Sequence, residues 1–265
     1  MKKHLAFLAG MSAFLMLTAS CEKVIELELN EAPPKIVVEA VLKDGVGNNS
    51  ILLSYTSAVY TDQTFDKISN ADVRITDKDG NVFIFPEDPY IPGYYHNSSF
   101  EVLPENDYTL AINIAGEIIT SQCHAYADPK IDSIVYSPSP FPSGNGSVPN
   151  MIEYYSVDNV NEINHYRLRI WINSVEQTDF YYIGNDDFIN GQSYFAPFFG
   201  ADAYSGDTVF IELIAMDKAN YTYLYTLSSN ESNSTAPANP ITNLQGNAIG
   251  YFGAFTTDTM SVVIP

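Results

Sequence analysis

The sequence predicts a mainly β protein, with an N-terminal immunoglobulin-like antiparallel sandwich followed by a second β-rich domain carrying one short helix. Three observations carry that expectation. Short β-branched or alternating runs recur along most of the 265 residues, turn residues separate them, and helical periodicity is confined to a stretch beginning at Lys218. A hydrophobic content of 46%, with 13% aromatics, supplies enough apolar surface to exclude disorder over most of the length.

The chain opens with Lys2 and Lys3, and an apolar stretch follows from Leu5 to Leu17, broken only by Gly10 and Ser12. It is shorter than the ~20 apolar residues that a permanent membrane helix needs, and small residues end it, as in an export signal. Leu17-Thr18-Ala19-Ser20-Cys21 resembles the lipobox of bacterial lipoproteins, with Thr18 where Leu is commonest. The resemblance implies a signal peptide over 1–20, acylation of Cys21 as the mature N-terminus, and a lipidated tether with a short strand over 21–34. Several acyl chains on one cysteine hold a membrane far more firmly than one chain does. The expected state is anchored, not membrane-spanning.

Removing residues 1–20 takes two of the 12 basic residues and none of the 32 acids, which moves the net charge from −20 to −22. Nucleic acid is excluded as a partner, because the bases are scattered singly and phosphate binding depends on clustered Lys and Arg. Nor does such a charge help the body lie on an anionic membrane. Once Cys21 is acylated only Cys123 remains, so no intramolecular disulfide forms. Cys123 reads as a small buried hydrophobe in an alternating stretch.

Val24 to Leu29 reads as a strand stopped by Pro33-Pro34, and Lys35 to Leu42 as the next, closed by Asp44-Gly45. Further strands are expected at Ser50 to Tyr55, Ala71 to Asp77, Asn81 to Phe85, Ser99 to Leu103, Tyr108 to Ile114 and Glu117 to Cys123. Asp77-Lys78-Asp79-Gly80 and Ala115-Gly116 serve as hairpin turns. These elements make a sandwich over 35–127. A Pro/Ser/Gly-rich connection follows over 128–150, read from Ser137 onward as linker or surface loop. The C-terminal β-rich domain, 151–265, has strands expected at Met151 to Val157, His165 to Asn173 and Thr208 to Met216. A helix over Lys218 to Leu227 is capped by Asp217, with Tyr221, Leu224, Tyr225 and Leu227 on one face. A polar loop, Ser228 to Asn239, leads to closing strands at Ala248 to Phe255 and Met260 to Ile264.

The segment between Asp179 and Asp207 differs from the rest. Its candidate ligand- or partner-binding residues are Tyr181, Tyr182, Asp186, Asp187, Phe188, Tyr194, Phe195, Phe198 and Phe199. Rigid rings interleaved with Asn and Asp make the mixture found in sites for sugars, peptides and protein partners. The other reading is that these rings fill the second domain's core.

In this order the elements resemble a family of lipoproteins of the Bacteroidota, catalogued as a domain of unknown function and often encoded beside TonB-dependent outer-membrane receptors. The likeness runs through Ile25-Glu26-Leu27-Glu28-Leu29, Ile36-Val37-Val38-Glu39-Ala40, Ala71-Asp72-Val73-Arg74-Ile75, Pro92-Gly93-Tyr94-Tyr95, Tyr108-Thr109-Leu110 and His165-Tyr166-Arg167. It closes on Pro237-Ala238-Asn239-Pro240, Asn243, Gly246 and Ala248-Ile249-Gly250-Tyr251-Phe252-Gly253-Ala254. What the resemblance implies is a lipid-anchored outer-membrane location, a two-part β-rich body, and a TonB-dependent receptor as neighbour; Glu22 and Glu26, flanking Lys23 after Cys21, are a partial likeness to surface-export signals of this phylum, which favours the cell surface and leaves a periplasm-facing orientation open. It carries over no catalytic residue. Asp132-Ser133-Ile134, Asp207-Thr208-Val209 and Asp258-Thr259-Met260 resemble the O-glycosylation acceptor pattern of exported proteins in this phylum, which would place sugars on Ser133, Thr208 and Thr259.

Catalytic patterns do not emerge. The mature histidines, His96, His124 and His165, are far apart in sequence, and neither Gly-x-Ser-x-Gly nor His-Glu-x-x-His occurs. Asp77-Lys78-Asp79-Gly80 begins like a calcium loop but has Asp88 where the closing Glu belongs, and a hairpin turn already explains it. Asp186, Asp187, Asp202 and Asp207 are oxygen-rich at a spacing that fits no standard loop. No cofactor or metal is expected. The expected function is a non-catalytic outer-membrane lipoprotein, capturing a glycan or peptide ligand or serving as accessory to a TonB-dependent receptor. The alternatives are a surface hydrolase on glycans or peptides and a cell-surface adhesin or structural module.

Overall fold

The computed structural model describes residues 33–57, 65–140, 148–160, 163–178, 182–187, 190–232 and 238–265. The expected signal peptide, Cys21 and the strand from Val24 to Leu29 lie outside them. Among the described residues of Pro34–Pro265 the architecture is mainly β, built as three sheets and one helix.

The central sheet has eight strands. One half is β1 (Ile36–Lys43), β2 (Asn49–Tyr55) and the short β5 (Tyr94–Tyr95); the other is β10 (His165–Ile172), β11 (Val175–Glu176), β12 (Tyr182–Asn185) and β14 (Thr208–Met216). β15 (Ala248–Val263) joins the halves. Its first part runs parallel to β1, from Ile36 beside Ala248 to Lys43 beside Phe255, and its second part runs antiparallel to β14, from Ala215 beside Thr256 to Thr208 beside Val263. At the first junction Gly250 has φ 113°, and a Cβ there would stand 2.0 Å from the Val38 carbonyl oxygen. Only glycine allows that approach.

Two smaller sheets cover one face of the central sheet. The first comprises β3 (Asp72–Asp77), β4 (Val82–Ile84), β6 (Asn106–Ile114) and β7 (Glu117–Ala125), in the order β4-β3-β6-β7. Its inward residues, among them Val73, Ile75, Leu110, Ile112 and Ile119, meet Val38, Leu42, Leu53 and Phe252 in one core. The second comprises β8 (Ile131–Pro138), β9 (Asn150–Val157) and β13 (Ser193–Ala203), in the order β13-β9-β8. Its Ile152, Tyr154 and Phe198 meet Ile170, Val209, Ile211 and Leu213 in another. Alternation along each strand sends every second side chain into these cores.

The helix α1 (Lys218–Ser232) packs on the opposite face. Asp217 caps it, its Oδ1 accepting from the Asn220 amide at 2.8 Å. Leu224 is buried against Ile214, Met216 and Phe255, while Tyr223 meets Tyr251 at 4.8 Å and Tyr221 meets His165 at 4.8 Å. Tyr225, expected on the buried face, is exposed; the inward position belongs to Tyr223.

Several expectations are corrected. Ser99 to Leu103 forms no strand, because local groups satisfy its backbone: Asn97 Oδ1 accepts from the Ser99 amide, the Phe100 carbonyl accepts from Gly47, and Tyr108 Oη accepts from Leu103. Phe100 still fills the first core, with Phe83, Phe85 and Tyr108 within 5.7 Å. In the 128–150 connection, Ile131–Pro138 is a strand paired with β9, anchored at Ile131, whose amide donates to Asp258 Oδ2 at 2.7 Å. The helix runs five residues past Leu227 to Ser232, into the expected polar loop, and the two closing strands are one. Both expected turns form. Ala115 and Gly116 have φ 52° and 97°, the pair of positive values that a tight hairpin demands, and the Asp77 carboxylate accepts from the amides of Asp79 and Asn81.

The division at 128–150 is not a division between sheets. β15, at the end of the chain, contributes Ala248, Phe252 and Ala254 to the first core and Met260 and Val262 to the margin of the second.

Candidate functional site

The face of the central sheet that carries α1 is only partly covered, and alternation decides what it shows. On β10, Arg167, Arg169 and Trp171 point to this face; on β14, Phe210, Glu212 and Ile214 do so, each directly beside its partner: Arg167 with Ile214, Arg169 with Glu212, Trp171 with Phe210. Two of the chain's three arginines and its single tryptophan therefore stand in one row.

Between α1 and this row lies a cleft of about 230 Å³. Its apolar wall is Val41, Ile214, Met216, Leu224, Tyr251 and Phe255, and its polar rim is Lys43, Arg167, Arg169 and Glu212. Glu212 is the pivot, with its side chain buried. Oε1 accepts from Lys43 Nζ, reaching across β15 from the end of β1, and Oε2 accepts from Arg169 Nη1 at 3.3 Å. Arg169 in turn gives Nε and Nη2 to the two oxygens of Glu176, each at 2.7 Å, a bidentate fork. Those bonds raise the guanidinium's pKa above its ordinary value and hold the Glu176 carboxyl below the usual carboxylate range. The Arg169 guanidinium also lies 4.6 Å from the Trp171 ring centre, and Phe210 meets Trp171 edge-on at 5.2 Å. A shallower recess beyond them is lined by Trp171, Ser174, Thr208, Phe210 and Ser261.

The sequence candidates are placed elsewhere and apart. Phe198 is core, 5.9 Å from Tyr154 and 5.0 Å from Tyr182, which is itself half-buried against the second core. Phe195 is exposed on the outer face of its sheet, stacked on Tyr155 at 5.6 Å. Asp186 is buried, its Oδ2 accepting from the Asn164 amide at 2.8 Å; Asp187 is exposed and accepts from Asn185. Tyr194 and Phe199 belong to β13, their side chains outside the description, and Tyr181 and Phe188 lie outside the described residues. The nine candidates thus do not form one surface: the pleat divides those that can be placed between core and solvent.

The acids read as a possible cation cluster serve separate local bonds. Asp207 accepts from Asn173 Nδ2 and the Tyr204 amide, and Asp202 is exposed. Among the described residues no group of three or more His, Cys, Asp or Glu is arranged to hold a metal ion. His96 lies beside Asp88, His124 beside Asp107 at 2.8 Å, and His165 is buried against Tyr221, where burial lowers its pKa. Cys123 is buried, and burial pushes its thiol well up. Of the glycosylation candidates, Thr208 and Thr259 are exposed on β14 and β15, and Ser133 is half-buried on β8 beside Tyr155. Among the described residues no helix is long and apolar enough to cross a membrane.

A family model described as Domain of unknown function (DUF4249) matches residues 22–261. The chain belongs to this family. No curated protein matches it. The family match covers β15 as far as Ser261 and every residue of the cleft, so the cleft lies inside the shared domain and not in an appendage.

The cleft was absent from the sequence candidates, although two signals pointed to it. Arg167-Leu168-Arg169 places two cations on one strand face, and Glu212 interrupts the otherwise apolar Val209 to Met216. What the sequence withheld was Lys43, 169 positions from its partner Glu212.

Proposed function

We propose that this protein is a non-catalytic lipoprotein of the outer membrane, anchored through acylated Cys21 and capturing a small ligand in the cleft under α1, as an accessory of a TonB-dependent receptor. The single observation that carries ligand capture is the cleft itself: about 230 Å³, walled by apolar side chains and rimmed by oriented charges. Concave, mostly apolar sites with a few convergent polar groups are where small molecules bind. The anchor is supported by the basic start, the short apolar stretch and Leu17-Thr18-Ala19-Ser20-Cys21. The receptor and the bacterial phylum are supported by the resemblance of the ordered segments, and a surface-facing orientation by the acidic Glu22 and Glu26 after Cys21.

Native mass spectrometry of the lipoprotein, gently extracted from its own membranes, tests capture. Leu224→Trp fills the cleft from the helix side. The wild type is expected to carry a bound mass that Leu224→Trp lacks; the same bare mass for both proteins contradicts capture.

A further inference from the structure

Further along the same sheet face, the shallow recess is a second concave site built from different side chains. Trp171 of β10, Phe210 of β14 and Ser261 of β15 stand directly beside one another, a row about 10 Å long at the ordinary strand spacing. Thr208, two residues from Phe210 on the same face, and Ser174, in the turn between β10 and β11, complete the lining. Phe210 is 36% exposed, and Ser174, Thr208 and Ser261 are exposed as well. The two rings are held in a fixed relation: the Arg169 guanidinium lies 4.6 Å from the Trp171 ring centre, and Phe210 meets Trp171 at 66°. Arg169 is itself tied to Glu176 and Glu212, and among the described residues the lining carries no charged side chain.

We propose that this recess binds a neutral pyranose sugar, as one or two residues of an oligosaccharide. An aromatic face carries the negative part of the ring quadrupole and attracts weakly positive C–H groups, which line the flat side of a pyranose. The sugar's edge hydroxyls then meet Ser174, Thr208 and Ser261, each able both to donate and to accept. A wholly apolar ligand would strip water from those hydroxyls and replace it with nothing. A carboxylate finds no counter-charge in the lining and is repelled by a chain whose net charge is −20. The recess encloses about 460 Å³, roughly three times the ~150 Å³ that holds one benzene ring, so two sugar rings fit. It shares no residue with the cleft under α1 and stands whether or not that cleft captures a ligand.

Trp171 is the chain's only tryptophan, so its fluorescence reports on this recess directly. The purified full chain is titrated with cellotetraose, maltotetraose and mannotetraose, and with the acidic tetragalacturonate. Thr208 is kept unmodified, because a sugar attached to that hydroxyl would itself fill the recess. At least one neutral tetrasaccharide is expected to shift the emission to the blue, saturably and in the millimolar range or below, as the sugar displaces water from the indole. Tetragalacturonate is expected to bind at least about tenfold more weakly. Phe210→Ala removes half of the stacking platform and should weaken the binding of that neutral sugar at least about tenfold. No shift with any of the three neutral sugars, equal affinity for tetragalacturonate, or unaltered binding in Phe210→Ala overturns the proposal. The wild-type titrations decide even if Phe210→Ala folds poorly.

Discussion

Glu212 is a charged side chain in the middle of an apolar strand, 5% exposed and held from two sides by Lys43 and Arg169. Burying a carboxylate is tolerated only when its partners come with it, so removing it should cost more than its bonds are worth. Glu212→Ala is expected to lose about 3 kcal/mol in urea unfolding, toward the low end for a broken buried pair, because Lys43 and Arg169 keep some contact with water. A loss below about 0.5 kcal/mol would mean that the pivot is not formed. His165 supplies a pH dependence. Burial lowers its pKa below the ordinary 6.5, so the folded protein binds this proton less readily than the unfolded chain does. Its contribution is complete above that value and is lost as pH falls from it through the folded-state pKa. His165→Phe should therefore show a smaller fall in urea midpoint between about pH 7.5 and 5.5 than the wild type. An identical fall in both would remove His165 from the account. Of these residues, Glu212 was legible in principle as a break in an apolar run. Burial of His165 was not, because its cover, Tyr221, comes from a helix 56 positions later.

At the scale of elements, period-two patterning announced most strands within one or two residues, because β1, β3, β6 and β7 each bury one face and expose the other. It failed where that condition failed. β8 has a register shift between Ile131 and Ser133 and ends at Pro138, so its pattern is blurred and its composition reads as linker. β13 carries aromatics on both faces and shifts register between Phe198 and Ala203, which is why the 179–207 segment resembled a binding patch. The strand separates the two roles. Phe198→Ala should cost about 3–5 kcal/mol, as truncation of a buried ring does, whereas Phe195→Ala on the outer face should stay under about 1 kcal/mol. Comparable losses from both variants would show that the strand does not sort its rings in this way.

The whole molecule depends on β15. Its parallel contact with β1 and antiparallel contact with β14 make the last residues of the chain complete the core of the first, a connection beyond local pattern because parallel partners need a long crossover, here more than 200 residues. A fragment covering 35–127 therefore lacks Ala248, Phe252 and Ala254, and it should show no cooperative thermal transition. A sharp transition in that fragment would restore an independent N-terminal domain. Because both halves are tied through one strand, the cleft, whose rim joins Lys43 of β1 to Glu212 of β14 and Arg169 of β10, is set by the fold as a whole. The sequence read as an acidic β-rich chain whose start resembles an export signal. That three of its few cations converge on one sheet face needed the topology. The central claim, a lipid-anchored capture protein working beside a receptor, is tested most directly by affinity isolation of the lipidated protein from native membranes. Recovery of a β-barrel receptor in stoichiometric amount is the predicted result, and repeated recovery of the lipoprotein alone would contradict it.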